Sequence, residues 1–229
     1  MKNKSLFITG TNTGVGKTVV CGCLARFFKL QGINVGIQKW VSTGNKNTSE
    51  DIDYCLKMLG GKREAIDPTL ISPYTFDFPA SPHLAAELEE KKISIDKIKK
   101  SYHTLQQRHD LLLVEGVGGV MVPLARDYLL IDLVAALSLP VLIVTHSGLG
   151  TINHTLLTIE ALRKRDIKIL GMVFNFAGEG DKIIEDDNIK IISHLGGIRS
   201  FGALPKVDSN EKLVEKFEPI GASILQAIS

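Results

Sequence analysis

The sequence predicts an α/β protein: a doubly wound, mostly parallel sheet flanked by helices, folded as a single domain over residues 1–229. Three observations predict it. Apolar runs alternate with helical patterns from end to end. The runs are continuous rather than alternating, which suits strands buried on both faces of a parallel sheet. The first run passes through a glycine-rich turn directly into a helix, as a βαβ unit begins.

The elements follow in order. Strands are expected at residues 6–9, 35–38, 111–114, 141–145, 169–174 and 200–203. Helical patterns lie between them at 18–30, 49–59, 95–108, 130–137, 151–165 and 184–195, and a last helix is expected at 219–228. Residues 67–82 are rich in proline and turn formers and read as a structured excursion. No repeat, linker or low-complexity segment interrupts the pattern.

Composition bounds the function classes. With 44% hydrophobic and 23% charged residues, 229 residues suffice for one domain with a sizeable core. A net charge of +2 gives no electrostatic case for a nucleic-acid or anionic-membrane partner. Lys91, Lys92, Lys97, Lys99 and Lys100 read as a solvated helix face. Cys21, Cys23 and Cys55 are odd in number and form no C-x-x-C, so reduced thiols are expected. Cys21 and Cys23, two apart on a helix, point in different directions. Met1-Lys2-Asn3-Lys4 leads straight into the first strand, with no signal-peptide pattern and no apolar run of membrane-spanning length, so a soluble, cytoplasmic protein is expected.

The first turn carries the strongest signal. Gly10-Thr11-Asn12-Thr13-Gly14-Val15-Gly16-Lys17-Thr18 stands between strand and helix. Backbone N–H groups of such a loop cradle phosphate oxygens. Lys17 places a point charge on the β/γ-phosphates and the Thr18 hydroxyl can ligate Mg²⁺. The first glycine stands at Gly10, where the usual G-x-x-x-x-G-K-[ST] spacing would place it at Thr11.

Ligands of open α/β sheets sit beyond the carboxyl ends of the strands. Lys39 ends the second strand, where a second lysine would stabilise charge on a transferring phosphoryl group. Glu115 ends the third, the place where an acid helps to hold Mg²⁺ in phosphate-loop enzymes. Asp51 and Asp53 follow a Ser49-Glu50 helix start; Asp51 can reach a metal or an amine, or simply oppose the helix dipole. The turn from Gly148 to Asn153 offers N–H groups as a second anion site suited to a carboxylate, with Thr151 or Ser147 as a simple N-cap the alternative. Asn175 follows the fifth strand and Pro205 the sixth. The six histidines show no metal-ligand spacing.

Together these segments resemble the dethiobiotin synthetase family of P-loop NTPases. That family's G-T-x-T-x-V-G-K-T is matched by Gly10, Thr11, Thr13, Val15, Gly16, Lys17 and Thr18. Its K-P-V-x-[ST]-G is matched by Lys39, Val41, Thr43 and Gly44, with Trp40 in place of the proline. Pro73-Tyr74-Thr75-Phe76, Ser81-Pro82-His83, Val114 to Gly119 with Pro123-Leu124, and Leu149 to His154 match further segments in family order. Gly14 stands where some members carry an acid, and the acidic stretch 177–188 does not match.

The resemblance implies a reaction. 7,8-Diaminononanoate takes up CO₂ as an N-carbamate, whose oxygen attacks the γ-phosphate of ATP. The second amine then closes a cyclic urea on the carbamic–phosphoric anhydride, and ADP and phosphate leave. It also implies roles. Lys39, Lys17 and Thr13 would act on carbamate and phosphoryl oxygens, and Mg²⁺ would sit on Thr18, Asp51 and Glu115. ATP would contact Gly14, Val15, Gly16, Lys17, Thr18, Val19, Asp51, Glu115, Gly116, Val117 and Gly118, with Asn175, Phe176, Pro205, Lys206 and Val207 around the adenine. Thr43 would contact the substrate amines. Gly150, Thr151 and Asn153 would hold the substrate carboxylate from the neighbouring subunit of a homodimer.

Three other readings compete with it. A cobyrinic-acid-type amidating enzyme carries an appended glutaminase domain, which is not expected in a chain of 229 residues. A MinD/ParA-like ATPase switch has a signature lysine five positions before the loop lysine, where Asn12 stands here. A small-molecule kinase would use Lys39 and Glu115 equally well.

Overall fold

The computed structural model describes residues 2–61, 67–176 and 181–228. A six-stranded sheet forms its centre, built from β1 (Lys4–Gly10), β2 (Val35–Lys39), β5 (Leu111–Gly119), β8 (Val141–His146), β9 (Ile169–Phe176) and β10 (Ser200–Pro205). Its order is β10-β9-β8-β1-β5-β2, and each neighbouring pair is parallel. All six predicted strands are present. Their central residues are buried on both faces, as continuous apolar runs require.

Helices cover both faces and create two cores. One contains Leu24 and Phe28 of α1 (Lys17–Leu30), Ile52 and Leu56 of α2 (Glu50–Leu59), and Phe217 and Ile224 of α9 (Asn210–Ile228), packed on Leu6, Leu113 and Val144. The other packs Ile98 and Tyr102 of α5 (Ile95–Gln106), Leu133 of α6 (Leu130–Ala136), Ile159 of α7 (Thr151–Arg163) and Ile192 of α8 (Lys182–Gly196) on Phe7, Leu112 and Ile143. Each fully buried Leu, Ile or Phe contributes about 1.5–3 kcal/mol.

The structure corrects several boundaries. The last helix begins at Asn210, nine residues before the expected Pro219, which lies inside it. Ser209 caps it, its hydroxyl accepting the Lys212 N–H at 3.3 Å, and burial of Phe217 carries the helix past the proline. Strand β5 runs on through Gly119 instead of stopping at Val114. Its Gly116 packs on Phe7: a Cβ there would stand 2.9 Å from Phe7 Cζ, so the glycine serves strand packing and not a turn. Likewise Asn175 and Phe176 lie within β9, and Pro205 closes β10.

The proline-rich excursion is structured from Asp67 onward. It holds α3 (Pro68–Ile71), β4 (Tyr74–Phe76) and α4 (Pro82–Leu88), and β4 pairs in parallel with β3 (Val41–Thr43). A small hairpin, β6 (Pro123–Ala125) with β7 (Tyr128–Leu129), follows β5. Part of the unmatched acidic stretch, residues 177–180, lies outside the described residues. Among the described residues, no helix is long and apolar enough to cross a membrane. The five lysines do not form one helix face: Lys91 and Lys92 precede α5, Lys99 is partly buried, and Lys97, though exposed, donates to the Pro73 carbonyl at 3.0 Å and lies over the Tyr74 ring.

Candidate active site

The sheet order places β1 between β5 and β8, so the loop leaving β1 opens over the carboxyl ends of its neighbours. Registration then decides which side chains meet. Lys39 and Glu115 are Cα partners across β2 and β5, and Ile8 pairs with Glu115 across β1 and β5. A one-residue slip would send Lys39 to the opposite face.

Four side chains form one polar cluster, with Lys39 and Glu115 buried and Thr18 and Asp51 partly so. Lys39 Nζ pairs with Glu115 Oε1 at 2.9 Å and with the Asp51 carboxylate. The Thr18 hydroxyl lies 2.7 Å from Asp51 Oδ1 and 2.8 Å from Glu115 Oε1. Thr18 comes from the first turn of α1, and Asp51 from the first turn of α2, which Ser49 caps. Asp53, the other candidate acid, is exposed and receives the Thr48 hydroxyl at 3.3 Å, so the cluster selects Asp51. Glu115 is 1% exposed, and its Oε2 is buried without a hydrogen-bond partner.

The electrostatics separate the two lysines. Burial opposes the charge on Lys39, but Glu115 and Asp51 outweigh it and push its pKa up to about 12. Burial, aided by the charge of Lys39, lowers Lys17 to about 8. Burial raises the Glu115 carboxyl against the pull of Lys39. Burial would raise Asp51 too, yet Lys39 holds it below its ordinary value. Lys17 donates to the Asn12 carbonyl at 3.1 Å, a contact that bends it back over its own loop.

A cavity of about 690 Å³ opens beside this cluster. Thr13, Gly14, Gly16, Lys17, Thr18, Lys39, Thr43, Asp51, Glu115, Val117 and Gly118 all line it. Sequence reasoning missed Ser42, Val122 and the Pro79 to Pro82 wall; only the Ser81-Pro82-His83 segment signalled the last. A second cavity, of about 460 Å³, is lined by Val19, Asn175, Phe176, Pro205, Lys206 and Val207, together with Tyr54, Asp208 and Leu213. Asn175 Nδ2 donates to the Val15 carbonyl at 3.1 Å and so joins this second cavity to the phosphate loop. Val15 and Gly116 line neither cavity; both are buried beneath the loop.

The turn before α7 stands apart. Gly150, Thr151 and Asn153 line neither cavity. Neither Thr151 nor Ser147 caps α7; Gly150 occupies the cap position without a side-chain bond. Thr151 is fully buried, its hydroxyl held by the His146 carbonyl at 2.5 Å and the Thr145 hydroxyl at 2.8 Å. Ser147 instead donates to Glu185 Oε1 at 2.7 Å.

Comparison with known proteins fits this geometry. A family model described as an AAA domain matches residues 4–213. Among solved structures, pNOB8 ParA bound to nonspecific DNA superposes with a TM-score of 0.62 at 14% identity, covering 98% of each chain. A variant of Cyanothece McdA in complex with ATP gives 0.61 at 14% identity, over 98% of this chain and 96% of that one. These likenesses show the fold alone. The ATP-dependent dethiobiotin synthetase BioD of Chlorobaculum tepidum is 41% identical over 211 residues, covering 92% of this chain and 88% of its own. That of Thermodesulfovibrio yellowstonii is 39% identical over 211 residues, covering 87% of each. Identity of this depth over nearly the whole length establishes that the chain belongs to the ATP-dependent dethiobiotin synthetase family.

Proposed function

We propose that this chain closes the ureido ring of dethiobiotin from 7,8-diaminononanoate, CO₂ and ATP. The observation that carries the reading is the meeting of Lys17, Lys39, Thr18, Asp51 and Glu115 on one cavity. The phosphate loop and Lys17 bind the triphosphate, and the base lies in the cavity lined by Asn175 and Pro205. One amine of the substrate takes up CO₂ and loses a proton. The carbamate oxygen attacks the γ-phosphorus while the bond to ADP breaks. Lys39, kept charged by its carboxylates, faces the oxygens on which negative charge gathers. Thr13 and Thr43, both lining the cavity, hold carbamate and amine. The second amine attacks the carbonyl carbon of the anhydride, phosphate departs and the ring closes.

Thr18, Asp51 and Glu115 offer hard oxygen donors, and the unpartnered Glu115 Oε2 has capacity to spare, so the set fits Mg²⁺. When bound, that ion would screen the charge of the β- and γ-phosphates. Thr18→Ala is therefore expected to raise the Mg²⁺ concentration needed for half-maximal activity by roughly tenfold, with Thr18→Ser close to the parent. An unchanged Mg²⁺ titration would remove Thr18 from that role.

Lys17 supplies a pH prediction. Without nucleotide its pKa is lowered to about 8, so it is charged at pH 7 and loses its proton as the pH rises through 8. Phosphate oxygens favour the charged form. ATP binding near pH 8.5 should therefore take up a proton, and affinity should fall above pH 8. Calorimetry in buffers of differing ionisation enthalpy reads the uptake; none at that pH would contradict it.

Gly150 and Asn153, both exposed, are assigned to the carboxylate of the substrate bound by a partner subunit. The expected contact through Thr151 is corrected, because Thr151 is fully buried with its hydroxyl on the His146 carbonyl and its N–H on the Gly148 carbonyl. The absence of these residues from the walls of both cavities and the exposure of Leu149 and Leu157 beside them support that assignment. The deciding experiment follows phosphate release from Mg²⁺-ATP and bicarbonate, with and without 7,8-diaminononanoate, together with mass detection of the cyclic urea. Diamine-dependent release with matching product supports the reading. Hydrolysis indifferent to the diamine overturns it.

A further inference from the structure

The helix faces that reach the active-site cavity carry a second set of donors one turn deeper. Lys17 and Cys21 are four apart on α1, and Asp51 and Cys55 are four apart on α2, so each pair shares a face. Where α1 and α2 pack together, Cys21 and Cys55 meet beneath Glu115. The residues are 0%, 0% and 1% exposed respectively. Their two sulfurs and a Glu115 carboxylate oxygen lie within 4.8 Å of one another. The Cys55 thiol donates to the Thr18 carbonyl at 3.6 Å. Glu115 Oε1 is shared by Thr18 and Lys39, whereas the buried Oε2 has no donor. A buried carboxylate oxygen left so is costly, and a cation would satisfy it.

We propose that Cys21, Cys55 and Glu115 form a binding site for a thiophilic divalent cation, Zn²⁺ or Cd²⁺. Sulfur donors select such ions and reject Mg²⁺, so this site differs in chemistry from the Thr18, Asp51 and Glu115 oxygen set on the cavity side, with which it shares Glu115. Two sulfurs about 2.3 Å from a tetrahedral Zn²⁺ stand about 3.8 Å apart, and a sulfur and a carboxylate oxygen about 3.5 Å, so the donors need close by no more than about 1.3 Å. Both thiols give up their protons to solvent on binding. An ion here draws on the charge of Glu115 from below. Its occupancy therefore weakens the hold of the cavity on Mg²⁺-nucleotide, and the site is inhibitory.

Titration of the full chain with Cd²⁺, free of nucleotide and chelating reductant, tests this through the thiolate-to-cadmium charge-transfer absorption in the ultraviolet. The expected result is one Cd²⁺ per chain with the intensity of two thiolates. Cys55→Ser and Cys21→Ser should each weaken binding by roughly a hundredfold. Cys23→Ser should bind as the parent does, since that sulfur is buried on α1 outside the cluster. Should a serine variant fail to fold, the ¹¹³Cd resonance of the parent decides: a shift typical of two sulfur ligands supports the site. An all-oxygen shift, the absence of a charge-transfer band, or equal binding by Cys55→Ser and the parent would overturn it.

Discussion

Lys39→Ala is expected to lower kcat by roughly 10²- to 10³-fold while changing the Kd for Mg²⁺-ATP by less than about tenfold. Two lysines face the cavity, and their environments divide the work. Lys17 sits in the phosphate loop with its pKa lowered to about 8, and it reaches phosphate whenever nucleotide is bound. Lys39 is held at about 12 by Glu115 and Asp51, so its charge is permanent and fixed in place. A fixed charge aimed at the transferring group favours the transition state more than the bound substrate. The same substitution has a structural cost: it leaves the buried Glu115 and the half-buried Asp51 without their cation. Removing one partner of a buried pair costs about 3–5 kcal/mol. The nucleotide-free variant should therefore melt well below the parent, and Mg²⁺-ATP should restore part of the loss. Fluorescence titration of ATP against single-turnover rates separates binding from chemistry. Equal losses in affinity and turnover would remove Lys39 from the transition state and leave it a binding residue.

The sheet was legible because burial on both faces leaves an unambiguous trace: long apolar runs such as Leu111 to Val114 can hardly be anything but central strands. The phosphate loop and Lys39 were legible because a glycine-rich turn and a lysine at the end of a buried strand have little structural excuse. What escaped was short or conditional on packing. The β3–β4 and β6–β7 pairs are two or three residues long, too brief for any period to show. The end of β5 was set too early, at Val114, because nothing in the sequence says that Phe7 presses on Gly116. The family resemblance already favoured Asp51 over Asp53, and the physical reason is helix rotation, which places Asp51 against Thr18 and leaves Asp53 exposed. The register of Lys39 against Glu115 is a long-range fact with no local signature. Cys21 and Cys55 read as small apolar residues of two separate helices, and only the packing of those helices brings their sulfurs beneath Glu115.

Gly16→Ala is expected to raise the Kd for Mg²⁺-ATP by roughly 30- to 100-fold, through two costs of similar size. Gly16 closes the loop at φ 93°, in the left-handed region, where an alanine costs about 1–2 kcal/mol. A Cβ there would also stand 2.0 Å from Asn175 Nδ2, a contact that cannot persist. Asn175 must swing away, releasing the Val15 carbonyl that it holds at 3.1 Å and disturbing the wall of the second cavity. The pair of effects can be pulled apart with Asn175→Ala. Alone, that change removes one hydrogen bond and should weaken ATP by about 1 kcal/mol. Added to Gly16→Ala it should do little further harm, because the alanine has already displaced the amide, so the double variant should bind better than additivity requires. A fully additive double variant would mean that the loop, and not Asn175, moves to admit the Cβ. The link between the base cavity and the phosphate loop would then run through the backbone of Val15 alone.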